Sequence, residues 1–314
     1  MPAGSRAASC ESGHPAIGDD PRRSGAYREG RRPYESAKEM LNRLRKIVSG
    51  SVIEGPARRL YRALKGSSAD GRASEWASRS ERDMMRARVL LEAVLGRDSN
   101  CVDVGAHGGR FLDLFLEFAP DGEHYAFEPI PLMAEGLRRR YPRVRVLETA
   151  LGDESGETDF YIARRMKAWS GLRKQPYPSG EVPEVIRVMI ERLDTALPAA
   201  YSPALIKIDV EGAELEVLEG AAEVLKRARP VVIFEHAKIH NTEYDTDPGR
   251  IIALLEEDLG MDIYTLDLRG PLSMERLEDI YERSDESGYD SSAETNFVAW
   301  PSEREAPSLP VEPG

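Results

Sequence analysis

The chain has 314 residues, of which 41% are hydrophobic and 31% are charged, a balance typical of a soluble globular protein with one large or two small domains. No run of 18 apolar residues occurs, which excludes a membrane-spanning helix, and the N-terminus lacks the apolar core of a secretory signal. The two cysteines, Cys10 and Cys101, fall in segments that are not expected to meet. These features predict a cytoplasmic protein without disulfides.

The charge is unevenly distributed along the chain. Residues 1–75 hold 15 Lys/Arg and 9 Asp/Glu, a net charge of +6, whereas the remaining residues carry a net charge of −18. Because nucleic-acid phosphates are bound through clustered cations, the acidic main body argues against a nucleic-acid partner.

The N-terminal region divides into two parts. Residues 1–35 are rich in Gly, Ser, Pro and Arg, and this composition predicts a disordered tail. Residues 36–77 form a basic extension in which "SAKEMLNRLRKIV" and "PARRLYRALKG" predict two short amphipathic helices. Such helices either dock on a membrane surface or a partner, or pack against the following domain as ordinary helices.

Residues 78–301 alternate between helical and strand patterns and form the predicted catalytic domain, followed by a disordered tail at 302–314. In chain order the predicted elements are helix 81–96, strand 100–105, helix 109–119, strand 123–129, helix 131–141, strands 143–151, 157–163 and 185–197, strand 204–209, helix 211–228, strand 230–236, helix 247–260, and strands 261–268 and 295–301. An irregular segment at 164–184 is long for a plain connection, which favours a lid or binding segment.

This alternation predicts an α/β fold with a mostly parallel sheet that is covered by helices on both faces. Ligands bind such sheets outside the carboxyl ends of the strands. Asp103, Glu128, Asp209 and Glu235 all fall at predicted strand ends, so we expect them to share one edge and to form a site.

The stretch "VDVGAHGGRFLDLF", residues 102–115, runs from a strand through a glycine-rich turn into a helix. The dinucleotide fingerprint G-x-G-x-x-G fails here, because His107 and Arg110 occupy its second and third glycine positions. An acid two positions before Gly105 suits S-adenosylmethionine, whose amino group and sulfonium a carboxylate complements. Glu128, 25 residues after Asp103, is then expected to bind the ribose hydroxyls, although a turn without any ligand would have the same local pattern.

Several stretches together resemble the FkbM family of S-adenosylmethionine-dependent methyltransferases. They are "CVDVGAHGGRFLDLF", "YAFEPIP", "VLETALGDESGETDFY", "RLDTAL", "LIKIDVEGAELEVLEGA", "PVVIFEH" and "NFVAWP", and "KIDVEGAE" followed by "VLEGA" is the most specific. The resemblance covers about residues 78–301 and implies a seven-stranded, Rossmann-like class I methyltransferase fold. It also implies methylation of a hydroxyl on a small molecule such as a polyketide, sugar or glycan.

The resemblance further implies a set of cofactor-binding residues. Asp103, Gly105, Ala106 and Gly109 are expected at the methionine end, Glu128 at the ribose, and Ala150, Leu151 and Asp153 near the adenine. His107 and Pro129 complete the predicted set. The family usually has Asn where this chain has His107, and both residue types tolerate the positive φ that such a turn requires.

Transfer of a methyl group to an alcohol oxygen benefits from a positioned general base. The candidates at the carboxyl edge are Asp209, Glu211, Glu235 and His236. Three of them have a structural alternative: Asp209 as a helix cap, Glu211 as a first-turn acid, and His236 as a histidine remote from the reaction. Asp209, Glu235 and His236 could also hold a metal ion, but no fixed ligand spacing is present, so a metal-free site is predicted. Trp169 and Tyr177 of the irregular segment are candidates for covering the acceptor.

Two other functions are compatible with parts of the pattern. An NAD(P)-dependent oxidoreductase would need the glycines that the turn lacks. A cofactor-binding module that acts as an accessory subunit would keep the turn without catalysing a reaction.

Overall fold

A computed structural model describes residues 71–164, 169–175, 182–241, 243–244, 248–284 and 294–309. The predicted tail at 1–35 and the two predicted basic helices of the extension lie outside the described residues, as does Tyr177. None of the helices in the described ranges is long and apolar enough to cross a lipid bilayer.

The described chain alternates between helices and strands as the sequence predicts. The helices are α1 Gly71–Val94, α2 Arg110–Phe118, α3 Pro131–Arg140, α4 Leu193–Ala196, α5 Glu214–Glu219, α6 Ala222–Ala228, α7 Lys238–Asn241, α8 Pro248–Ala253, which continues as a π-helical turn Leu254–Asp258, and α9 Met274–Glu282. The strands are β1 Cys101–Val104, β2 His124–Phe127, β3 Arg145–Leu147, β4 Ala150–Leu151, β5 Gly156–Ile162, β6 Glu184–Glu191, β7 Leu205–Ile208, β8 Val231–Glu235, β9 Met261–Thr265 and β10 Asn296–Pro301.

Seven of these strands form the central sheet, in the order β3-β2-β1-β7-β8-β10-β9. Strands β3, β2, β1, β7 and β8 are parallel, and β10 runs antiparallel to both β8 and β9. The predicted α/β fold with a mostly parallel seven-stranded sheet of the class I methyltransferase type is therefore confirmed. A second, three-stranded sheet has the order β4-β6-β5.

Three predicted elements are divided in the structure. The predicted strand 143–151 becomes β3 and β4, because Leu147 still pairs with β2 whereas Ala150 pairs with Ile190 of the second sheet. The predicted strand 185–197 ends at Glu191, and α4 follows. The predicted helix 211–228 breaks into α5 and α6, where the carboxylate of Asp194 accepts a hydrogen bond from the backbone N–H of Val224, 2.9 Å away, and caps the new helix.

Apolar cores cover both faces of the central sheet, and strand periodicity decides which side chains reach each core. In β7, Ile206 and Ile208 lie in the core on one face, whereas Leu205 lies in the core beneath α1 and α2. Lys207 therefore points toward α1 and α2, and Asp103, its register partner in β1, points the same way. A lysine and an aspartate thus meet inside the protein.

Part of the predicted C-terminal tail is described. Residues 302–309 fold back on the domain, where Ala306 and Leu309 pack against the core and the indole N–H of Trp300 donates to the carbonyl oxygen of Arg304. Arg229 pairs with Glu303 at the surface.

Candidate active site

The turn after β1 brings the backbone close to the end of β7. Gly105 has φ +71°, and a Cβ at this position would overlap the carbonyl oxygen of Asp209. The N–H groups of Gly105 and Ala106 both donate to the carbonyl oxygen of Phe127 at the end of β2, over 3.0 and 3.1 Å. The turn is therefore held between β2 and β7, and glycine is required at its first position.

His107 and Gly109 continue the turn with φ of +44° and +79°. At Gly109 a Cβ would overlap the ring of Tyr141, the residue directly after α3. The absence of a side chain at Gly109 thus lets the turn pack closely against Tyr141.

A cavity of about 330 Å³ opens at the carboxyl edge of the sheet, beside this turn. It is lined by eight of the ten predicted cofactor residues, namely Asp103, Gly105, Ala106, His107, Glu128, Pro129, Ala150 and Leu151. Three of the four candidate bases also line it: Asp209, Glu211 and Glu235. Gly109, Asp153 and His236 do not line the cavity, and Asp153 lies exposed at the surface.

Glu128 is held in a fixed orientation at one wall of the cavity. Its side chain is 4% exposed, its Oε2 accepts the N–H of His107 over 2.8 Å, and its Oε1 accepts the N–H of Ile130 over 3.0 Å. Burial raises the pKa of Glu128, and the two N–H donors partly offset this shift. Each carboxylate oxygen keeps a second lone pair for a ligand hydroxyl.

Lys207 is a site residue that the sequence analysis did not single out. Its Nζ donates to the carbonyl oxygens of Val104 and Gly105 over 3.2 and 2.7 Å, and it lies 3.2 Å from Asp103 and 3.7 Å from Asp209. Burial alone would lower the pKa of Lys207, but the two carboxylates together raise it. A lysine inside the apolar run "LIKI" was the available signal, because buried strands rarely carry an unpaired charge.

The segment between β7 and α5 carries two acids with different roles. Glu214 is 1% exposed, and its Oε1 accepts the N–H groups of Val210 and Gly212 over 3.0 and 3.3 Å, so that it holds the loop. Burial raises the pKa of Glu214 to about 7. Glu211, with φ +60°, instead lines the cavity. Asp209 does not cap α5, whose N-terminus has no side-chain cap.

The histidine that reaches the cluster of acids is His240, on α7, and not the predicted His236. Nδ1 of His240 lies 2.9 Å from Oε2 of Glu211. Burial alone would lower the pKa of His240, but the carboxylates of Glu211 and Glu235 raise it to about 10. The short segment "KIHN" gave no periodic signal, so only the position of α7 reveals this residue.

His236 is buried on the other side of β8, away from the cavity. Its ring stacks on Tyr281 with centroids 4.6 Å apart, and its Nδ1 accepts a hydrogen bond from the side-chain amide of Asn241 over 3.2 Å. Burial lowers the pKa of His236 to about 4.

This burial predicts a specific pH dependence of stability. Because the folded pKa of His236 lies below the unfolded value of about 6.5, the unfolded state binds more protons between these values, and acid destabilises the fold. When the pH falls from 7.5 to 5, we expect protonation of His236 in the unfolded state to lower the free energy of unfolding of the wild type by about 2 kcal/mol. The His236→Gln variant should not show this loss. Denaturant unfolding of both proteins at each pH measures this difference, and parallel pH profiles would contradict it.

The described part of the irregular segment, residues 169–175, covers this side of the cavity. Ser170 and Leu172 line the cavity, and the buried ring of Trp169 packs edge-on against His240 with centroids 5.5 Å apart. Nε2 of Gln175 donates to the carbonyl oxygens of Glu211 and His240 over 2.8 and 3.3 Å. The segment thus joins the two chain segments that carry the Glu211–His240 pair.

The chain is similar to known methyltransferases. The sequence profile described as the methyltransferase FkbM domain matches residues 103–262. The 2-O-methyltransferase NoeI of Sinorhizobium fredii (strain NBRC 101917 / NGR234) is 32% identical over 45% of this chain, and the match spans 65% of the length of that relative.

Similar solved structures include the methyltransferase FkbM from Methylobacillus flagellatus KT, which is 15% identical with a TM-score of 0.41 and covers 66% of this chain and 44% of its own. A geranyl diphosphate methyltransferase in complex with SAM is 13% identical with a TM-score of 0.39, and it covers 76% of this chain and 93% of its own.

The profile match begins at Asp103, the acid of β1, and extends into β9. It includes the glycine turn, Glu128, Lys207, the acids that follow β7 and the acid that ends β8, and it spans just over half of the chain. The chain belongs to the FkbM family of methyltransferases.

Proposed function

We propose that this protein transfers a methyl group from S-adenosylmethionine to a hydroxyl oxygen of a small molecule. The observation that carries the proposal is one cavity that is lined both by the Gly105 turn and Glu128 and by Asp209, Glu211 and Glu235. The first group of residues offers a cofactor cradle, and the second offers groups that handle a proton. The name of the 2-O-methyltransferase relative supports oxygen as the acceptor atom.

The residues of the cradle fit S-adenosylmethionine. Glu128 is oriented by two backbone N–H groups and retains acceptor capacity for the two ribose hydroxyls. Ala150 and Leu151 supply an apolar wall suited to the adenine, and Pro129 lies beside Glu128. The surrounding carboxylates favour a ligand that carries a sulfonium and an amino group.

When bound, S-adenosylmethionine supplies a methyl group on a positively charged sulfur, which becomes neutral when the methyl group leaves. The protein then has to align the acceptor oxygen and accept its proton. Asp209, Glu211 and Glu235 line the cavity for this task, and burial raises the pKa of Glu211 and of Glu235 toward the range that suits a general base. His236 is left out of this assignment, because it does not line the cavity.

Binding of S-adenosylmethionine and of NADH, measured separately by calorimetry, tests the cofactor assignment. We expect saturable binding of S-adenosylmethionine alone, weakened about 10–100-fold by Glu128→Ala, because hydrogen bonds to a charged acceptor contribute about 1.5–3 kcal/mol. Asp153→Ala is the matched control, since this acid lies exposed outside the cavity, and we expect it to bind like the wild type.

Three outcomes would change the assignment. Binding of NADH alone would overturn it in favour of an oxidoreductase. Binding of neither compound would favour an accessory role without a cofactor. If Glu128→Ala and Asp153→Ala weakened the binding of S-adenosylmethionine equally, Glu128 would not be the ribose-binding residue. Unfolding curves of Glu128→Ala check that the turn remains folded, since Glu128 also binds the N–H of His107.

A further inference from the structure

We propose that Glu211, Glu235 and His240 bind a divalent metal cation at the edge of the cavity, which Glu211 and Glu235 line. One ligand atom from each residue lies within 4.8 Å of the others. Atoms that coordinate one cation at about 2.0–2.3 Å are at most about 4.0–4.6 Å apart, so small side-chain movements are enough for the three side chains to close around a single ion. The site itself is independent of the reaction, whereas its role, given below, rests on the proposed function.

Three separate elements hold the ligands. Glu211 follows β7 in a left-handed backbone conformation, Glu235 ends β8, and His240 lies on α7. The loop of Glu211 and the backbone of His240 approach so closely that a Cβ on Gly212 would overlap the carbonyl oxygen of His240. Gln175 donates to backbone carbonyls of both segments. This arrangement holds the ligands in place before any ion binds.

The contact between His240 and Glu211 brings two atoms that can coordinate a metal close together. Nδ1 of His240 and Oε2 of Glu211 are 2.9 Å apart, and within the described residues neither atom has a hydrogen bond to a third group. His240 is 8% exposed, so solvent has little access to this pair. When a divalent cation binds, it replaces the imidazole proton, and the two atoms coordinate the cation instead of each other.

The charges around the site favour the same conclusion. Lys207 is occupied by Asp103 and Asp209 and makes no ion pair with Glu235. Within the described part of the chain, the carboxylate of Glu235 has neither a hydrogen bond nor an ion pair. Glu235 is half-buried; burial raises its pKa, and the like charge of Glu211 adds to this shift. A divalent cation between the two carboxylates removes this repulsion.

The ligand set indicates the class of ion. Carboxylate oxygens suit Mg²⁺ and Mn²⁺, and an imidazole nitrogen favours Mn²⁺ or Zn²⁺ over Mg²⁺. Three protein ligands leave coordination positions open toward the cavity that Glu211 and Glu235 line. Mn²⁺ is therefore the appropriate probe.

The open positions suggest what the cation does in the proposed reaction. A bound hydroxyl becomes more acidic and is fixed in orientation. As the O–CH₃ bond forms, the S–CH₃ bond breaks, its electron pair remains on sulfur, and the hydroxyl proton passes to a cavity carboxylate, for which Asp209 is placed. No further co-reactant is needed.

Titration of the chelator-treated full chain with Mn²⁺, followed by the electron paramagnetic resonance signal of the free ion, tests the site without cofactor or acceptor. We expect one saturable Mn²⁺ per chain, and binding weakened at least about tenfold in Glu235→Gln and in His240→Gln. His236→Gln is the matched control, because it replaces a buried histidine four residues away that lies outside the cluster, and it should bind like the wild type.

Calorimetry with S-adenosylmethionine on the same proteins separates the two proposals. Retained cofactor binding in Glu235→Gln and His240→Gln shows that these variants fold. Absence of saturable Mn²⁺ binding in a wild type that binds S-adenosylmethionine would overturn the metal site and leave the proposed function intact. Saturable Mn²⁺ binding in a wild type that does not bind S-adenosylmethionine would retain the metal site and overturn S-adenosylmethionine as the methyl donor. Mn²⁺ binding of equal strength in His240→Gln would also overturn the assignment.

Discussion

Replacing Lys207 with methionine is expected to lower the free energy of unfolding by about 3–5 kcal/mol, the cost of removing one partner from a buried ion pair. The side chain is 5% exposed, and its ammonium group lies between Asp103 and Asp209 while it donates to two carbonyl oxygens of the glycine turn. Methionine matches its length but leaves the 1% exposed carboxylate of Asp103 without a counter-charge. Denaturant unfolding of both proteins at neutral pH measures the difference.

A double variant distinguishes this electrostatic cause from lost packing. The double variant Lys207→Met/Asp103→Asn has no carboxylate at position 103 that lacks a counter-charge. We therefore expect it to recover at least about 1 kcal/mol of the free energy of unfolding that Lys207→Met loses, as is typical for coupled neighbours. If the two substitutions were simply additive, Lys207 would stabilise the fold through the carbonyls of Val104 and Gly105 and not through Asp103.

Replacing Gly105 with alanine is expected to be the most damaging change in the cofactor turn. At φ +71° an alanine costs about 1–2 kcal/mol, and its Cβ would overlap the backbone carbonyl of Asp209, which a rotamer change cannot relieve. We expect a total loss of about 2–4 kcal/mol of stability and at least tenfold weaker binding of S-adenosylmethionine. Denaturant unfolding and calorimetry provide the two measurements.

Gly108 supplies the matched control in the same turn. A Cβ at Gly108 would meet no atom within 4 Å, and its φ is not in the left-handed range. Gly108→Ala should therefore keep the stability of the wild type to within about 0.5 kcal/mol. If Gly105→Ala and Gly108→Ala lost similar amounts of stability, the turn would need flexibility at both positions. The close approach of Gly105 to Asp209 would then not explain why residue 105 is glycine.

The electrostatics of the cavity connect these predictions with the proposed reaction. Asp103, Glu128, Glu211 and Glu235 are carboxyl groups whose pKa burial raises, and Lys207 compensates chiefly Asp103 and Asp209. A cationic methyl donor and a divalent cation, bound in the same cavity, would both reduce the remaining repulsion among the acids. The site is thus built to bind positive charge, which agrees with an acidic chain.

Two kinds of feature were determined by the sequence alone. Strand ends were visible because apolar runs stop at an acid, and in a parallel sheet such ends share one edge. For this reason Asp103, Glu128, Asp209 and Glu235 were predicted to lie together, and the structure places all four along one cavity. The residues His107 and Arg110, which stand where the dinucleotide pattern requires glycine, likewise argue against a dehydrogenase turn.

Only the tertiary structure decided the features that depend on which segments become neighbours. The sequence pattern does not show that the chain leaves the central sheet after Leu147 and joins the second sheet at Ala150. Both segments are extended and apolar, so they look like one strand. Nor does it distinguish His236 from His240. His236 turns into the core beside Tyr281, whereas the short helix α7 carries His240 across to Glu211. Sequence periodicity indicates the local conformation and shows at which edge of the sheet a strand ends. The residues that a side chain from a short helix or turn contacts depend on long-range packing, and no local pattern contains that information.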